Sequence, residues 1–407
     1  MRLTRLPLLR GAAVALLSLS PLAPPPPPAA AAVAASARPV VVPLTLCGGA
    51  YCVRYTLDGQ PFRAIVDTGS PFLLVDGTCT EASEWGCYRG AGRASGLDDT
   101  EEEFGGQITG TQWRVGYMSL LGENAALVLP ETTFGVVRTY TGKGGSGAVF
   151  LGLAKRRLPR IRPTFLEQTS VASLQFDFLR GSLTLSPRPL IPRGTDAIRL
   201  LDLRPRGAPI SAAVCRIRRL YVNGELLQLD RPAVAVIDTG TTGLSVSESL
   251  FCAADGPLGP IRDCRVELVT EQGRVCALEA SVRRRQVPSR FGDVPLVDVP
   301  DGAPESDAFP LVVSPVDVPW FEQDFGQGDA LEQRVQAEAA RDDALGDPYR
   351  ACQARVQRAA TRGAAPGEPL SRLDGLGERP HVLFVGLAFF WRRQLTIDVD
   401  DGRLAFV

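Results

Sequence analysis

A single histidine, His381, serves all 407 residues. Serine and cysteine proteases need an imidazole base, and histidine-based zinc sites need several, so both classes are disfavoured together. No Cys-x-x-Cys pair occurs either, which weakens a zinc reading further. The formal net charge is only −1, although 22% of residues are charged. Neither nucleic acid nor an anionic membrane is therefore an expected partner. Asparagine is limited to Asn124 and Asn223, so the lack of an Asn-x-Ser/Thr sequon decides nothing. The longest apolar run, 11–22, is too short to span a bilayer comfortably, and the five prolines that follow would break it. No stable membrane insertion is expected.

What is present is a doubled motif. Ala64-Ile65-Val66-Asp67-Thr68-Gly69-Ser70 returns as Ala235-Val236-Ile237-Asp238-Thr239-Gly240-Thr241. Each copy drives a β-branched apolar run into a carboxylate and turns at once on a hydroxyl residue and a glycine. A strand that ends on a buried Asp is costly unless the charge is compensated. Two further echoes accompany the pair. Downstream lie Phe150-Leu151-Gly152-Leu153-Ala154 and Phe384-Val385-Gly386-Leu387-Ala388, the second after a markedly longer interval. Upstream, Asp58-Gly59 and Asn223-Gly224 each sit between apolar runs and read as hairpin turns.

These repeats resemble the pepsin-like aspartic proteases, most of all their plant, algal and protist-like members. The resemblance spans residues 40–407 apart from an insertion. It implies an all-β, bilobal pepsin-like fold with the active-site cleft between two related lobes. Residues 38–193 would form the first lobe and 194–407 the second, with a helical insertion at about 300–365. Asp67 and Asp238 would be the catalytic pair of an aspartic endopeptidase, sharing one water molecule. Two carboxylates a few ångströms apart cannot both ionise, so one activates water while the other donates to the scissile carbonyl. Thr68, Gly69, Ser70, Thr239, Gly240 and Thr241 would support them. The glycines permit close approach of the two loops, and Ser70 and Thr241 hydrogen-bond the outer carboxylate oxygens. The apolar-apolar-Gly strands would lie beneath the two loops. No metal or organic cofactor is implied, the partners being peptide or protein substrates of a monomer.

The flap, a hairpin that closes over substrate in this family, matches Phe104, Gly105 and Gly106, preceded by the acidic run Asp98-Asp99-Thr100-Glu101-Glu102-Glu103. Here the chain departs from the family pattern. Phe104 stands where a tyrosine is usual, and Leu74 where that tyrosine's tryptophan partner is usual. Losing both halves of a hydrogen bond leaves an apolar contact, not a stranded polar group, so Phe104 and Leu74 are expected to pack together. The acidic run reads either as an attractant for basic peptides or as a solvated face. A rival to the protease reading is a catalytically weak or inactive binding or inhibitor protein on the same fold.

The remaining stretches are less specific. Residues 1–37 carry Arg2, Arg5 and Arg10, an apolar run and a closing Ala35-Ser36-Ala37, the pattern of a signal peptide. Secretory-pathway targeting, extracellular or vacuolar, is favoured over the plastid lumen. Cleavage there leaves little room before Asp67 for the inhibitory propeptide that many family members carry. Nine cysteines suit an oxidising compartment. Cys79 and Cys87 follow the first loop, where the family commonly closes a disulfide, and Cys47 and Cys52 offer another pair. Cys252, Cys264 and Cys276 cluster, Cys215 and Cys352 are more distant, and spacing does not fix their pairing. Gly142-Lys143-Gly144-Gly145-Ser146-Gly147 lacks the spacing of a phosphate loop and reads as a plain loop. Lys155, Arg156, Arg157, Arg160 and Arg162 read as a solvated basic face. Residues 288–320 read as irregular. Within the insertion, Asp347-Pro348 opens a helical spacing through Tyr349, Cys352, Val356 and Ala359.

Overall fold

The computed structural model describes residues 38–47, 49–79, 85–90, 92–104, 107–141, 149–251, 263–285, 297–300, 313–316 and 380–407. The signal segment, the Gly-rich loop at 142–147 and the helical part of the insertion lie outside them. Within them the chain is β-sheet, and helix is confined to the single turn Glu248–Phe251 and short 3-10 turns. No helix among the described residues is long and apolar enough to cross a membrane.

Both upstream turns form where the sequence puts them. Asp58 and Gly59 take φ of 50° and 77°, and Asn223 and Gly224 take 52° and 81°. Left-handed backbone at two successive positions is what a tight two-residue hairpin requires, and Asp-Gly or Asn-Gly supplies it at little cost. The first turn joins Ala50–Leu57 to Gln60–Asp67 in antiparallel register. The second folds Val214–Val222 back on Glu225–Leu226.

The same crossing then occurs in each half. Gln60–Asp67 runs parallel to Phe150–Gly152, which puts Gly152 opposite Asp67. Ala233–Ile237 runs parallel to His381–Val385, pairing Ile237 with Val385. Parallel strands covered on both faces read as unbroken apolar runs. Ala233–Ile237 is buried at every position accordingly. Each crossing lies inside its own nine-stranded sheet.

A six-stranded sheet draws on both halves. Its order is Val40–Pro43, Ser182–Ser186, Ser173–Asp177, Gln394–Asp398, Arg403–Phe406 and Ile198–Arg199. The seam is the antiparallel pairing of Ser173–Asp177 with Gln394–Asp398. Asp398 is fully buried there, and Ser173 Oγ and the backbone N–H groups of Leu190 and Ile191 donate to its carboxylate. Gln394–Asp398 and Arg403–Phe406 form the chain's closing hairpin.

Two expectations need correction. The basic run after Gly152 is only in part a solvated face: Arg156 and Arg160 are exposed, but most of its cations hold partners from other segments. Lys155 Nζ donates to the Val171 carbonyl at 2.6 Å and pairs with Asp400 at 2.8 Å. Arg156 reaches the Asp400 carbonyl, Arg157 pairs with Glu167 at 2.6 Å, and Arg162 donates to the Asp98 carbonyl. Long cationic side chains can lie along the surface and bridge segments that no sequence window contains. Residues 288–320 are likewise not wholly irregular. Val297–Pro300 and Val313–Val316 are strands at the two ends of the second nine-stranded sheet. A proline is tolerated on an edge strand, where its missing N–H has no ladder partner to lose.

Two disulfides close, Cys47–Cys52 and Cys79–Cys87. Cys215, Cys264 and Cys276 are free thiols. Cys252 and Cys352 lie outside the described residues.

Candidate active site

The two Asp-Thr-Gly loops lock onto each other through four buried hydrogen bonds. Thr68 Oγ1 donates to the Ile237 carbonyl at 2.7 Å and accepts from Thr239 N–H at 3.0 Å. Thr239 Oγ1 donates to the Val66 carbonyl at 2.7 Å and accepts from Thr68 N–H at 3.1 Å. Each threonine thus satisfies the carbonyl just before the opposite Asp and the N–H just after it. Those backbone groups have left their own ladders and would otherwise be orphaned in the core.

The grip brings Asp67 and Asp238 together, 7% and 6% exposed. Each carboxylate accepts its own loop's glycine N–H on Oδ1 at 2.8 Å, from Gly69 and Gly240 respectively. The glycines leave no room for a side chain. A Cβ on Gly69 would stand 2.7 Å from Asp238 Oδ2, and one on Gly240 would stand 2.5 Å from Asp67 Cγ. Gly152 and Gly386 underlie the loops in equivalent ways. Their N–H groups donate to the carbonyls of Phe72 and Gly243, both at 2.8 Å, and each of those acceptors lies five residues past its Asp.

The two carboxylates are not equivalent. Thr241 Oγ1 donates to Asp238 Oδ2 at 2.8 Å, as expected. Ser70 is close enough to Asp67 to pull its pKa down, yet its hydroxyl makes no hydrogen bond of regular geometry among the described residues. Burial dominates at Asp67, followed by the charge of Asp238 and the hydrogen bond shared with it. Together they hold the Asp67 pKa well above the ordinary carboxylate range, against the opposing pull of Ser70 and the Gly69 N–H.

A disulfide-closed turn abuts the second loop. Thr242 Oγ1, next to Thr241, donates to the Gly49 carbonyl at 3.0 Å, between Cys47 and Cys52. Only the spacing of those cysteines hinted at a closed turn, and nothing local tied it to Asp238.

The hairpin expected over the site is Thr100–Phe104 paired with Gln107–Leu121. Its tip, Gly105 and Gly106, lies outside the described residues, as does any side-chain contact of Phe104. Leu74 is fully buried and packs with Phe72 and Trp113. Trp113 meets Phe72 edge-on at 4.9 Å. Trp113, which lies on the hairpin's second strand and which sequence reasoning passed over, thus sets an indole beside Leu74. The acidic run also divides. Asp98, Asp99 and Glu101 are exposed, but Glu102 is half-buried. Strand alternation would have flagged it, since Glu102 shares a face with Thr100.

No protein-family model matches the chain, and no curated protein matches it.

Proposed function

We propose that this protein is a bilobal, pepsin-like aspartic endopeptidase whose cleft lies between residues 38–193 and 194–407. The observation that carries the reading is the reciprocal Thr68–Thr239 grip, which sets two buried carboxylates against each other with glycine on both sides. A duplicated β-domain with merely structural aspartates has no need to bury two acids face to face, because an unpaired buried charge is expensive.

The donors around the pair support a division of roles. Asp238, with Gly240 N–H and Thr241 Oγ1 both donating to it, is the carboxylate. Asp67, its pKa raised, keeps the proton. Asp238 accepts a proton from the attacking water as its oxygen bonds to the scissile carbonyl carbon. Asp67 hydrogen-bonds the carbonyl oxygen and neutralises the charge that develops there. Collapse of the tetrahedral intermediate breaks the C–N bond, and the proton held by Asp238 leaves on the amine. The substrates are peptides or proteins, no cofactor enters the reaction, and the enzyme acts as a monomer. A secreted or vacuolar setting accords with the two disulfides.

Purified protein beginning at Arg38, incubated with denatured proteins from acid to neutral pH, tests this directly. Cleavage strongest in acid, and abolished by Asp67→Asn and by Asp238→Asn, is expected. Undiminished cleavage in either variant overturns the mechanism. The rival, a binding protein on this fold, draws on Phe104 in place of the flap tyrosine. It predicts stable capture of an intact protein without turnover.

A further inference from the structure

The hairpin beside the site carries a polar chain that the proposed reaction does not use. Trp113 Nε1 donates to Thr100 Oγ1 at 2.8 Å, and Thr100 Oγ1 donates to Glu102 Oε1 at 2.7 Å. Thr100 pairs with Thr111 and Glu102 with Thr109 across the hairpin, so these side chains share one face with Trp113. That face is closed along the second strand, while Thr100 and Glu102 on the first are half-buried. Thr109, Thr111 and Trp113 are buried, and Thr109 Oγ1 donates to the Glu102 carbonyl. From Trp113 the contacts lead on to Phe72, whose carbonyl accepts the Gly152 N–H beneath the Asp67 loop.

We propose that Glu102 is a positioning residue: through Thr100 it holds Trp113 against Phe72, and the proton on its carboxyl decides how firmly the hairpin sits beside the Asp67 loop. Its effect on catalysis rests on the endopeptidase reading; its hold on Trp113 does not.

The charged group that faces Glu102 from outside the hairpin is Arg162, anchored on the Asp98 carbonyl at 2.9 Å. Thr109, Thr111 and Trp113, from the second strand, do not titrate in the working range. Burial pushes the Glu102 carboxyl up to about 7, against smaller opposing effects of the Thr100 hydroxyl and Arg162. In acid the carboxyl is neutral and belongs in the closed face. As pH rises through neutrality it becomes an ion with one hydroxyl donor and a neighbouring guanidinium. Opening the hairpin base to water then relieves the desolvation, and Trp113 loses its packing. The hairpin is therefore firm in acid, where the raised Asp67 is also in its working form.

Two readouts test this. The first is fluorescence of the full chain across pH, with the Trp113→Phe signal subtracted to isolate Trp113. The wild type should titrate with a midpoint near neutrality, and Glu102→Gln, which keeps an oxygen for Thr100 and stays neutral, should be flat there. Thr100→Val should weaken the same transition by cutting the link. The second readout is KM for a peptide. It should rise several-fold from acid to mildly alkaline pH in the wild type but stay low in Glu102→Gln, while the acid limb of kcat is shared. A transition that persists in Glu102→Gln, or a wild type without one, overturns the proposal. If the chain cleaves nothing, the endopeptidase reading fails and the fluorescence arm alone still decides the role of Glu102.

Discussion

Replacing Thr68 with valine measures what the grip between the two loops is worth. Valine keeps the shape of threonine and removes only the hydroxyl, so packing is nearly conserved. Two buried partners are orphaned: the Ile237 carbonyl, now reached at 2.7 Å, and the Thr239 N–H, now bonded at 3.0 Å. An unsatisfied buried group costs about 1–3 kcal/mol, and burying a methyl in place of a hydroxyl returns part of that. We expect Thr68→Val to lose about 2–4 kcal/mol of unfolding free energy in urea titration. Thr239→Val should lose a similar amount, because it orphans the Val66 carbonyl and the Thr68 N–H instead. Although the two variants break different bonds, the double variant should lose less than their sum. Once one side is free the loops part, and the remaining bonds are already strained. Separation also takes the Asp238 charge away from Asp67, so the Asp67 pKa should fall and the alkaline limb of any pH–rate profile should move to lower pH with it. A single variant within about 0.5 kcal/mol of wild type, with an unmoved pH profile, would refute the reasoning.

Further outcomes follow from individual contacts. Gly240→Ala places a methyl 2.5 Å from Asp67 Cγ and must displace that carboxyl, so kcat/KM should drop at least about 100-fold while circular dichroism stays native. His381 is buried, its pKa lowered first by burial, while Asp230 bonded at 2.6 Å pulls the other way. The unfolded chain therefore takes up a proton more readily, and this residue's contribution to stability is lost as pH falls from about 6.5 through the lower folded value. His381→Gln should flatten that part of the urea midpoint against pH, and an unchanged slope would contradict it. Cys47→Ser/Cys52→Ser should reduce kcat more than Cys79→Ser/Cys87→Ser, because the first turn touches the second loop through Gly49 and Thr242. Equal losses in a peptide-cleavage assay would remove that distinction.

Local chemistry is what the sequence makes legible. Asp58-Gly59 and Asn223-Gly224 are turns because two adjacent positions need positive φ, and few residues accept it. The strands running into Asp67 and Asp238 are visible because β-branched apolar runs that end abruptly on a carboxylate have few other uses. Even the demand for Gly69 and Gly240 can be anticipated, since two loops that bring acids together cannot both carry side chains at the contact. The basic run after Gly152 misleads for the opposite reason. A stretch of closely spaced cations looks solvated until the chain supplies Asp400, Glu167 and the Val171 and Asp98 carbonyls from other segments.

The hairpin face shows the same limit at the residue that matters most beside the site. Reading position by position, Leu74 and Phe104 look like a hydrogen bond deleted from both ends. In space the volume and the indole donor both persist, because Trp113 enters from the second strand and fills against Leu74 and Phe72. Its N–H finds an oxygen on Thr100. Packing density and polar satisfaction constrain a region of space, not a sequence position, so either can be met from whichever strand borders the region. Meeting them from within the hairpin has a consequence that a bond to residue 74 would not. The donor and acceptor now move with the hairpin as one body. Its hold on the Asp67 loop passes through the ring contact of Trp113 with Phe72, which is less directional than a hydrogen bond. A hairpin held in that way would respond to charge at the far end of the chain that runs from Trp113 through Thr100 to Glu102.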